Sequence, residues 1–210
     1  MPSINPWTEI PLKDYETHME HSDVAQAQLL NRLTRDYLIK HKPDAALFLG
    51  ISGGNGLEHI DPGISRVCGV DINQSYLDIA QNRFNIKLPQ LELFQANIET
   101  STDSFIRADF IWAALILEYV NIDRGFRFIS HNCKENCVLI LTIQSNNGAT
   151  SVSNTGITSL QSVKGIFREV EDPILIQIAT NSQFTLIDRI ESELPNGKSF
   201  ITYEFRRSIK

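Results

Sequence analysis

From Ala45 onward the apolar positions fall into short continuous runs separated by amphipathic stretches. Ala46–Leu49, Arg66–Val70, Leu91–Phe94, Phe110–Leu115 and Cys137–Ile143 have the length and content of strands. The runs at 110–115 and 137–143 are apolar at odd and even positions alike, the pattern of parallel strands covered on both faces. Between the runs lie helical periods. Asn73, a good N-cap, precedes Tyr76, Leu77, Ile79, Ala80 and Phe84 at helical spacing. Asn121–Asn132 carries Phe126, Phe128 and Ile129 in the same manner, and Gly54–Ile60 reads as a short helix cut by Asp61-Pro62-Gly63. Helices are also expected near Ser159–Arg168 and from Pro173 to Thr180, where proline suits the first turn. Two last strand-like runs, Phe184–Ile190 and Ser199–Phe205, flank Asn196-Gly197, a strong hairpin signal. The alternation predicts an α/β, doubly wound, mostly parallel sheet closed by an antiparallel pair.

The first 44 residues follow another pattern. Residues 1–10, with Pro2, Pro6 and Trp7, read as irregular, and Leu12–Met19 as a short helix. A longer helix carrying Leu29, Leu30, Leu33, Tyr37 and Leu38 is expected to start at Ser22 or Asp23 and to end before Pro43. This is a helical cap whose Tyr15, His18, Met19, His21 and Gln26 are placed to face a ligand or to serve as core anchors and solvated face. The reading is one domain over 1–210: cap 1–44, core 45–144, a polar insertion on the substrate side over 145–171, and a helix with hairpin over 172–210.

Composition narrows the partners. A net charge of −6 and 21% charged residues offer nothing to a phosphate backbone, so no nucleic acid is expected. No apolar run approaches the length of a membrane span, and no signal peptide is visible, so the expected compartment is cytoplasmic. Three cysteines, Cys68, Cys133 and Cys137, fit reduced buried thiols, and no metal-ligand spacing is found.

The chemistry gathers where the first strand ends. Gly50-Ile51-Ser52-Gly53-Gly54 follows Leu49, and Asp71 ends the second strand twenty-one residues beyond Gly50. A strand, a glycine turn and an acid about 20 residues on is the arrangement that holds an adenosine-type ligand, the acid matching a ribose diol. The dinucleotide pattern fails, because His59 stands where its third small residue belongs, and no P-loop sequence is present. A nucleotide-dependent oxidoreductase is therefore disfavoured.

The order Gly50-x-Ser52-x-Gly54, Val70-Asp71-Ile72, Ala96-Asn97-Ile98 and Ala108–Val120 resembles class I S-adenosylmethionine-dependent methyltransferases. The resemblance implies a Rossmann-like, seven-stranded sheet with S-adenosylmethionine as cofactor. It implies that Gly50, Ser52 and Gly54 line the methionine and ribose, and that Asp71 takes the ribose hydroxyls. Ile72 would pack on the adenine, Asn97 and Ile98 would contact its edge, and Ala113 with Ala114 would border the methionine end. Two positions depart from the pattern. Phe48 stands where the family usually has an acid, and Ser52 replaces the middle glycine. A catalytically silent cofactor-binding or regulatory module of the same fold is the alternative these departures leave open.

Methyl transfer from a sulfonium needs alignment, exclusion of water and, for many acceptors, a base. Glu118 and Tyr119, just past an apolar central strand, are the catalytic candidates, with Gln144 at the end of the next strand. His59 and His131 read as helix-surface residues. The strand-four end lacks the Pro-Pro-Tyr type sequence of base-amino methylating relatives, and it has one glutamate where protein arginine methyltransferases have two. A small-molecule acceptor is left by elimination.

Overall fold

The computed structural model describes residues 5–208. Seven strands form one sheet in the order β3-β2-β1-β4-β5-β7-β6. They are β1 (Ala45–Leu49), β2 (Arg66–Asp71), β3 (Leu91–Gln95), β4 (Ala108–Ala114), β5 (Cys133–Ser145), β6 (Phe184–Glu193) and β7 (Ser199–Arg207). The first five pair in parallel, and β7 runs antiparallel between β5 and β6. This is the Rossmann-like doubly wound arrangement with a C-terminal antiparallel hairpin.

Five α-helices cover the sheet: α1 (Leu12–Glu20), α2 (Gln26–His41), α3 (Gln74–Phe84), α4 (Ile122–His131) and α5 (Asp172–Asn181). Leu29, Leu30 and Leu38 of α2 and Leu77 and Phe84 of α3 pack with Phe48, Phe110 and Ile140 on one face. Phe126, Phe128 and Ile129 of α4 and Leu175 and Ala179 of α5 pack with Leu47, Ile111 and Leu139 on the other. Burying both faces is why β1 and the middle of β5 read as unbroken apolar runs. A third, small cluster of Ile10, Val152, Leu160 and Val163 joins the N-terminal segment to the stretch after β5, with Trp7, Tyr15 and Tyr119 packed on it.

Four local expectations need correction. The long helix starts at Gln26, not at Ser22 or Asp23; Ala25 precedes it at φ +50° and makes no side-chain cap. Ser22 and Asp23 are spent inside the turn that buries Val24, where the Asp23 N–H donates to His21 Nδ1. The helix expected over Gly54–Ile60 is a single 3-10 turn, Leu57–His59, because Gly54 and Gly56 hold φ of +89° and +94°, outside the helical region. The stretch at Ser159 is likewise a 3-10 helix, Ser159–Gly165. Strand β5 begins four residues earlier than the apolar run. Its register skips between the Ala108–Cys133 and Phe110–Val138 pairs, so the polar Lys134–Asn136 bulges outward, with Asn136 at φ +59°. Residues 5–10 include a 3-10 turn at Pro6–Thr8, capped by the Asn5 side chain. Of the stretch expected to be irregular, residues 1–4 lie outside the described residues. No helix among the described residues is long and apolar enough to cross a membrane.

Candidate functional site

Strand order reverses at β1, which has β2 on one side and β4 on the other. In open α/β sheets the crevice outside the carboxyl ends of the strands at such a switch point is where ligands bind. Both strand ends there are held in left-handed backbone by residues other than glycine. Ser52, past β1, has φ +50°, and Leu115, past β4, has φ +54°. Each costs on the order of 1–2 kcal/mol, a strain that collects at functional sites. The Ser52 turn is fastened by its N–H donating to Asp71 Oδ2 at 2.9 Å, and the Leu115 N–H donates to the Thr142 carbonyl at 2.8 Å. Gly50 also sits at φ +65°, where its N–H donates to the Val70 carbonyl and a Cβ would press on Ile116 at 3.2 Å.

Asp71 is 8% exposed. Burial pushes its pKa up, and backbone N–H groups of Asn73 and Ser52 pull against that. Its Oδ1 accepts from the Asn73 N–H at 2.9 Å, so each carboxylate oxygen holds one backbone donor and keeps lone-pair capacity. Asn73 caps α3 by accepting from the Ser75 N–H at 3.0 Å, and its Nδ2 donates to the Trp7 carbonyl at 2.9 Å. That second bond holds the N-terminal segment over the strand ends.

Three cavities meet around this crevice. The β1–β2 cavity, about 90 Å³, is lined by Gly50, Ser52, Asp71, Ile72, Asn97 and Ile98. Trp7, Tyr15, Tyr76, Ala114, Leu115 and Tyr119 also reach it. The Tyr76 hydroxyl is buried there without a hydrogen-bond partner, and burial pushes its pKa up. The glycine-turn cavity, about 500 Å³, lies between Gly50–Asn55 and the cap, with Phe48, Trp112, Met19 and Leu30 in its wall. At its rim Arg83 donates to Glu16 at 2.5 and 2.9 Å and to the Gly53 carbonyl at 3.1 Å, strapping α1 to the turn. The β4–β5 cavity, about 50 Å³, is lined by Trp7, Tyr15, His18, Gln26, Glu118, Tyr119, Gln144, Phe167 and apolar residues of 151–163.

Tyr15 lines all three cavities. Its ring is stacked on Tyr76 at 6.3 Å and edge-on to Trp7 at 5.8 Å. The row continues from Trp7 to Tyr119 at 5.0 Å and from Tyr119 to Phe167 at 5.8 Å. Burial raises the Tyr15 pKa to about 12 and the Tyr119 pKa still further, so both phenols stay protonated at neutral pH.

Glu118 sits in the 3-10 turn Leu117–Tyr119 and is 0% exposed. Its Oε1 accepts from the Gln144 N–H at 2.7 Å, while Oε2 is buried with no partner. Burial, opposed by the Gln144 and its own backbone N–H, raises its pKa to about 7. The Gln144 side chain accepts from Gln26 Nε2 at 2.6 Å and donates to Asn146 Oδ1 at 2.7 Å and to the Ser151 carbonyl at 2.9 Å. His18 Nδ1 lies 2.8 Å from Thr155 Oγ1; burial, with Lys198 and His21 nearby, lowers its pKa to about 4 and keeps it neutral.

Gly50, Ser52, Asp71, Ile72, Asn97 and Ile98 thus stand together around one cavity, while Gly54 lines the adjoining one. Ala113 is turned away: it is fully buried in the core, and Ala114, its neighbour on the opposite face of β4, lines the cavities. Of the cap residues, Tyr15, His18, Met19 and Gln26 line cavities and His21 lines none of the three. His59 lies 2.8 Å from Asn31 Oδ1, and His131 ends α4; neither lines these cavities. Sequence reasoning missed Trp7 and Tyr76. Trp7 was legible only as a bulky aromatic in a polar, proline-bearing stretch, and Tyr76 only as one more apolar position on a helix.

No family model matches the chain, and no characterised protein matches it by sequence. Solved structures do match in three dimensions. The N-methyltransferase NodS of Bradyrhizobium japonicum, in complex with S-adenosylhomocysteine, aligns over 97% of this chain and 99% of its own at TM-score 0.69 and 14% identity. The magnesium protoporphyrin IX methyltransferase ChlM of Synechocystis, also with S-adenosylhomocysteine, aligns over 93% and 94% at TM-score 0.64 and 14% identity. The [4+2]-cyclase SpnF aligns over 87% and 83% at TM-score 0.69 and 13% identity. With its strand order, its reversed seventh strand and its crevice at the β1–β4 switch, the chain has the fold of the class I S-adenosylmethionine-dependent methyltransferases.

Proposed function

We propose that the chain is an S-adenosylmethionine-dependent methyltransferase acting on a small-molecule acceptor. One observation carries the reading: at the switch point a buried carboxylate that fastens the strained Ser52 turn, Asp71, stands across Tyr15 from a second buried carboxylate, Glu118. The residues suit the cofactor best at its adenosine end. Asp71 keeps acceptor capacity for two ribose hydroxyls, and the unpartnered Tyr76 hydroxyl lies in the same cavity. Ile72 and Ile98 offer apolar walls for a purine, with Asn97 at its edge. At the methionine end Gly50, Ser52 and Gly54 present backbone, and Phe48 and Trp112 make an apolar wall where an acid is usual. Glu16 and Arg83 are the charged side chains against Gly53.

When bound, S-adenosylmethionine supplies a methyl group already activated on a sulfonium. This chain's residues then have two tasks. The ring row from Tyr76 to Phe167 excludes water from the strand ends. Glu118, with Tyr119 beside it, faces the acceptor from the β4–β5 cavity, and its free Oε2 accepts the acceptor's proton. The small volume of that cavity and the net charge of −6 favour a small molecule over a nucleic acid.

A second reading, a silent binding module, is favoured by Phe48 and Ser52. The fold likeness to a [4+2]-cyclase also shows that the architecture serves more than one named activity. Thermal shifts with S-adenosylmethionine, S-adenosylhomocysteine and NAD test the cofactor: the first two stabilise the chain, Asp71→Ala abolishes the shift, and NAD gives none. A ligand at about 100 times its Kd adds about 2.7 kcal/mol. No shift with the first two at millimolar concentration removes the proposal. Turnover with a panel of acceptors separates enzyme from silent module.

A further inference from the structure

We infer that the β4–β5 cavity receives the amino group of a primary or secondary amine, with Glu118 Oε2 as its hydrogen-bond and proton acceptor. The inference rests on the methyltransferase reading and names its acceptor class. Glu118 Oε2 is a buried acceptor without a donor, and leaving it so is costly. The two amide side chains of the wall are committed elsewhere: both hydrogens of Gln144 Nε2 go to Asn146 Oδ1 and the Ser151 carbonyl, and Gln26 Nε2 donates to Gln144 Oε1. A ligand that completes this cavity therefore brings N–H or O–H donors. The walls choose between them. Trp7, Tyr15, Tyr119 and Phe167 present aromatic rings, which attract an ammonium.

The titratable side chains lining the cavity are Tyr15 and His18 from α1 and Glu118 and Tyr119 from the turn after β4. The two phenols are protonated and His18 is neutral near pH 7, so of these lining groups Glu118 alone changes charge there; Lys198 is the cation at the cavity wall, its Nζ donating to the Ser151 carbonyl at 2.8 Å, and no cation among the described residues is bonded to Glu118 Oε2. A carboxylic acid acceptor would set two carboxylates in one dry cavity, and an aliphatic alcohol holds its proton too tightly for a carboxylate to remove. An amine fits both conditions. It enters as the ammonium and gives one proton to Glu118 Oε2. The freed nitrogen lone pair forms the N–C bond as the C–S bond of the sulfonium breaks, its electron pair staying on sulfur. The product leaves as the N-methyl ammonium, and the Glu118 proton passes to solvent. The cavity, about 50 Å³, admits the amino end of such a molecule and a few further heavy atoms.

The test reads Glu118 directly and needs no turnover. The carboxyl carbon of Glu118 is followed by NMR through a pH titration, assigned by its loss in Glu118→Gln. The series is benzylamine, benzyl alcohol and benzoate, added to the free chain and to the chain with S-adenosylhomocysteine. Benzylamine is expected to lower the Glu118 midpoint by at least about one unit, a tenfold preference for the charged form. The other two are expected to leave it in place, and Glu118→Gln to weaken benzylamine binding at least about tenfold. An unmoved midpoint with benzylamine, or an equal shift with benzyl alcohol, overturns the inference. S-adenosylhomocysteine binding is scored separately. Its failure alongside a benzylamine shift removes the cofactor reading and leaves the amine site; its success without a benzylamine shift does the reverse.

Discussion

Asp71 and Glu118 are both carboxylates buried at the ends of strands that flank one crevice, and they are held in opposite ways. Each oxygen of Asp71 accepts a backbone N–H, from Ser52 and from Asn73, so the charge is paired with fixed dipoles. Glu118 has the Gln144 N–H on Oε1, with some help from its own backbone N–H, and no partner on Oε2, and burial raises its pKa to about 7. On the proposed reading the same side-chain chemistry serves two purposes. Asp71 holds the hydroxyl donors of the cofactor. Glu118 is arranged to change protonation at neutral pH, which is what a general base needs.

The largest expected effect separates the two. Glu118→Gln keeps the shape and the Oε1 bond and removes the base, so kcat/KM with an amine acceptor should fall by about 10²–10⁴, with S-adenosylhomocysteine affinity unchanged. Wild-type kcat/KM should rise with pH through about 7 as Glu118 loses its proton, and the variant should lack that limb. An equal loss of cofactor affinity would break the division of labour.

The next effect is on stability. The folded chain holds the Glu118 proton up to about pH 7, while the unfolded chain releases it near the ordinary carboxylate value of 4.5. Between these values the native state binds more protons, so this group makes stability fall as pH rises, by about 3 kcal/mol in all. Glu118→Gln should therefore be more stable than wild type by roughly that amount at pH 8 and equal to it at pH 4, read from paired urea melts. A stability difference independent of pH would show that Oε2 has a partner.

Asp71→Asn should act the other way round. The amide oxygen can serve one of the two backbone N–H groups and meets the other with an NH₂. The fold should survive with a loss of about 1 kcal/mol, and S-adenosylhomocysteine affinity should fall about 10–100-fold. Calorimetric titration checks this, with turnover at saturating cofactor the less affected quantity. The smallest effect belongs to the strap between Glu16 and Arg83, whose side chains are 28% and 43% exposed. Glu16→Gln should cost less than about 1 kcal/mol in a thermal melt, as expected for a solvent-screened pair.

The strands and the Asp71 half of the site were legible in the sequence because local chemistry dictates them. Unbroken apolar runs such as Ala46–Leu49 are too short for a buried helix and so read as strands covered on both faces, and an acid after such a run has few places to go. Asn73 caps the helix that follows it, as its residue type suggests, while Asn121, read as the first helical residue, proves to be the cap of the next helix. What failed depended on tertiary context. Ser22 and Asp23 have the chemistry of caps, but burial of Val24 fixed the turn they occupy. The helix expected after Gly54 was lost to two glycines in left-handed backbone. Ala113 and Ala114 cannot be told apart by type, and only the pleat of β4 decides which faces the crevice. The Glu118 half was visible as a position and not as an environment. Its unpartnered oxygen depends on Gln26, Gln144 and Ser151, residues brought together from far apart in the chain.

The central claim is that one crevice holds S-adenosylmethionine on Asp71 while leaving Glu118 free for the acceptor. Isothermal titration of S-adenosylhomocysteine into wild type, Asp71→Asn and Glu118→Gln tests it most directly. The account predicts saturable binding by wild type, the same affinity in Glu118→Gln, and a 10–100-fold loss in Asp71→Asn, about 1.4 kcal/mol per tenfold. No heat from wild type at millimolar ligand, or an Asp71→Asn variant that binds as tightly as wild type, would contradict it.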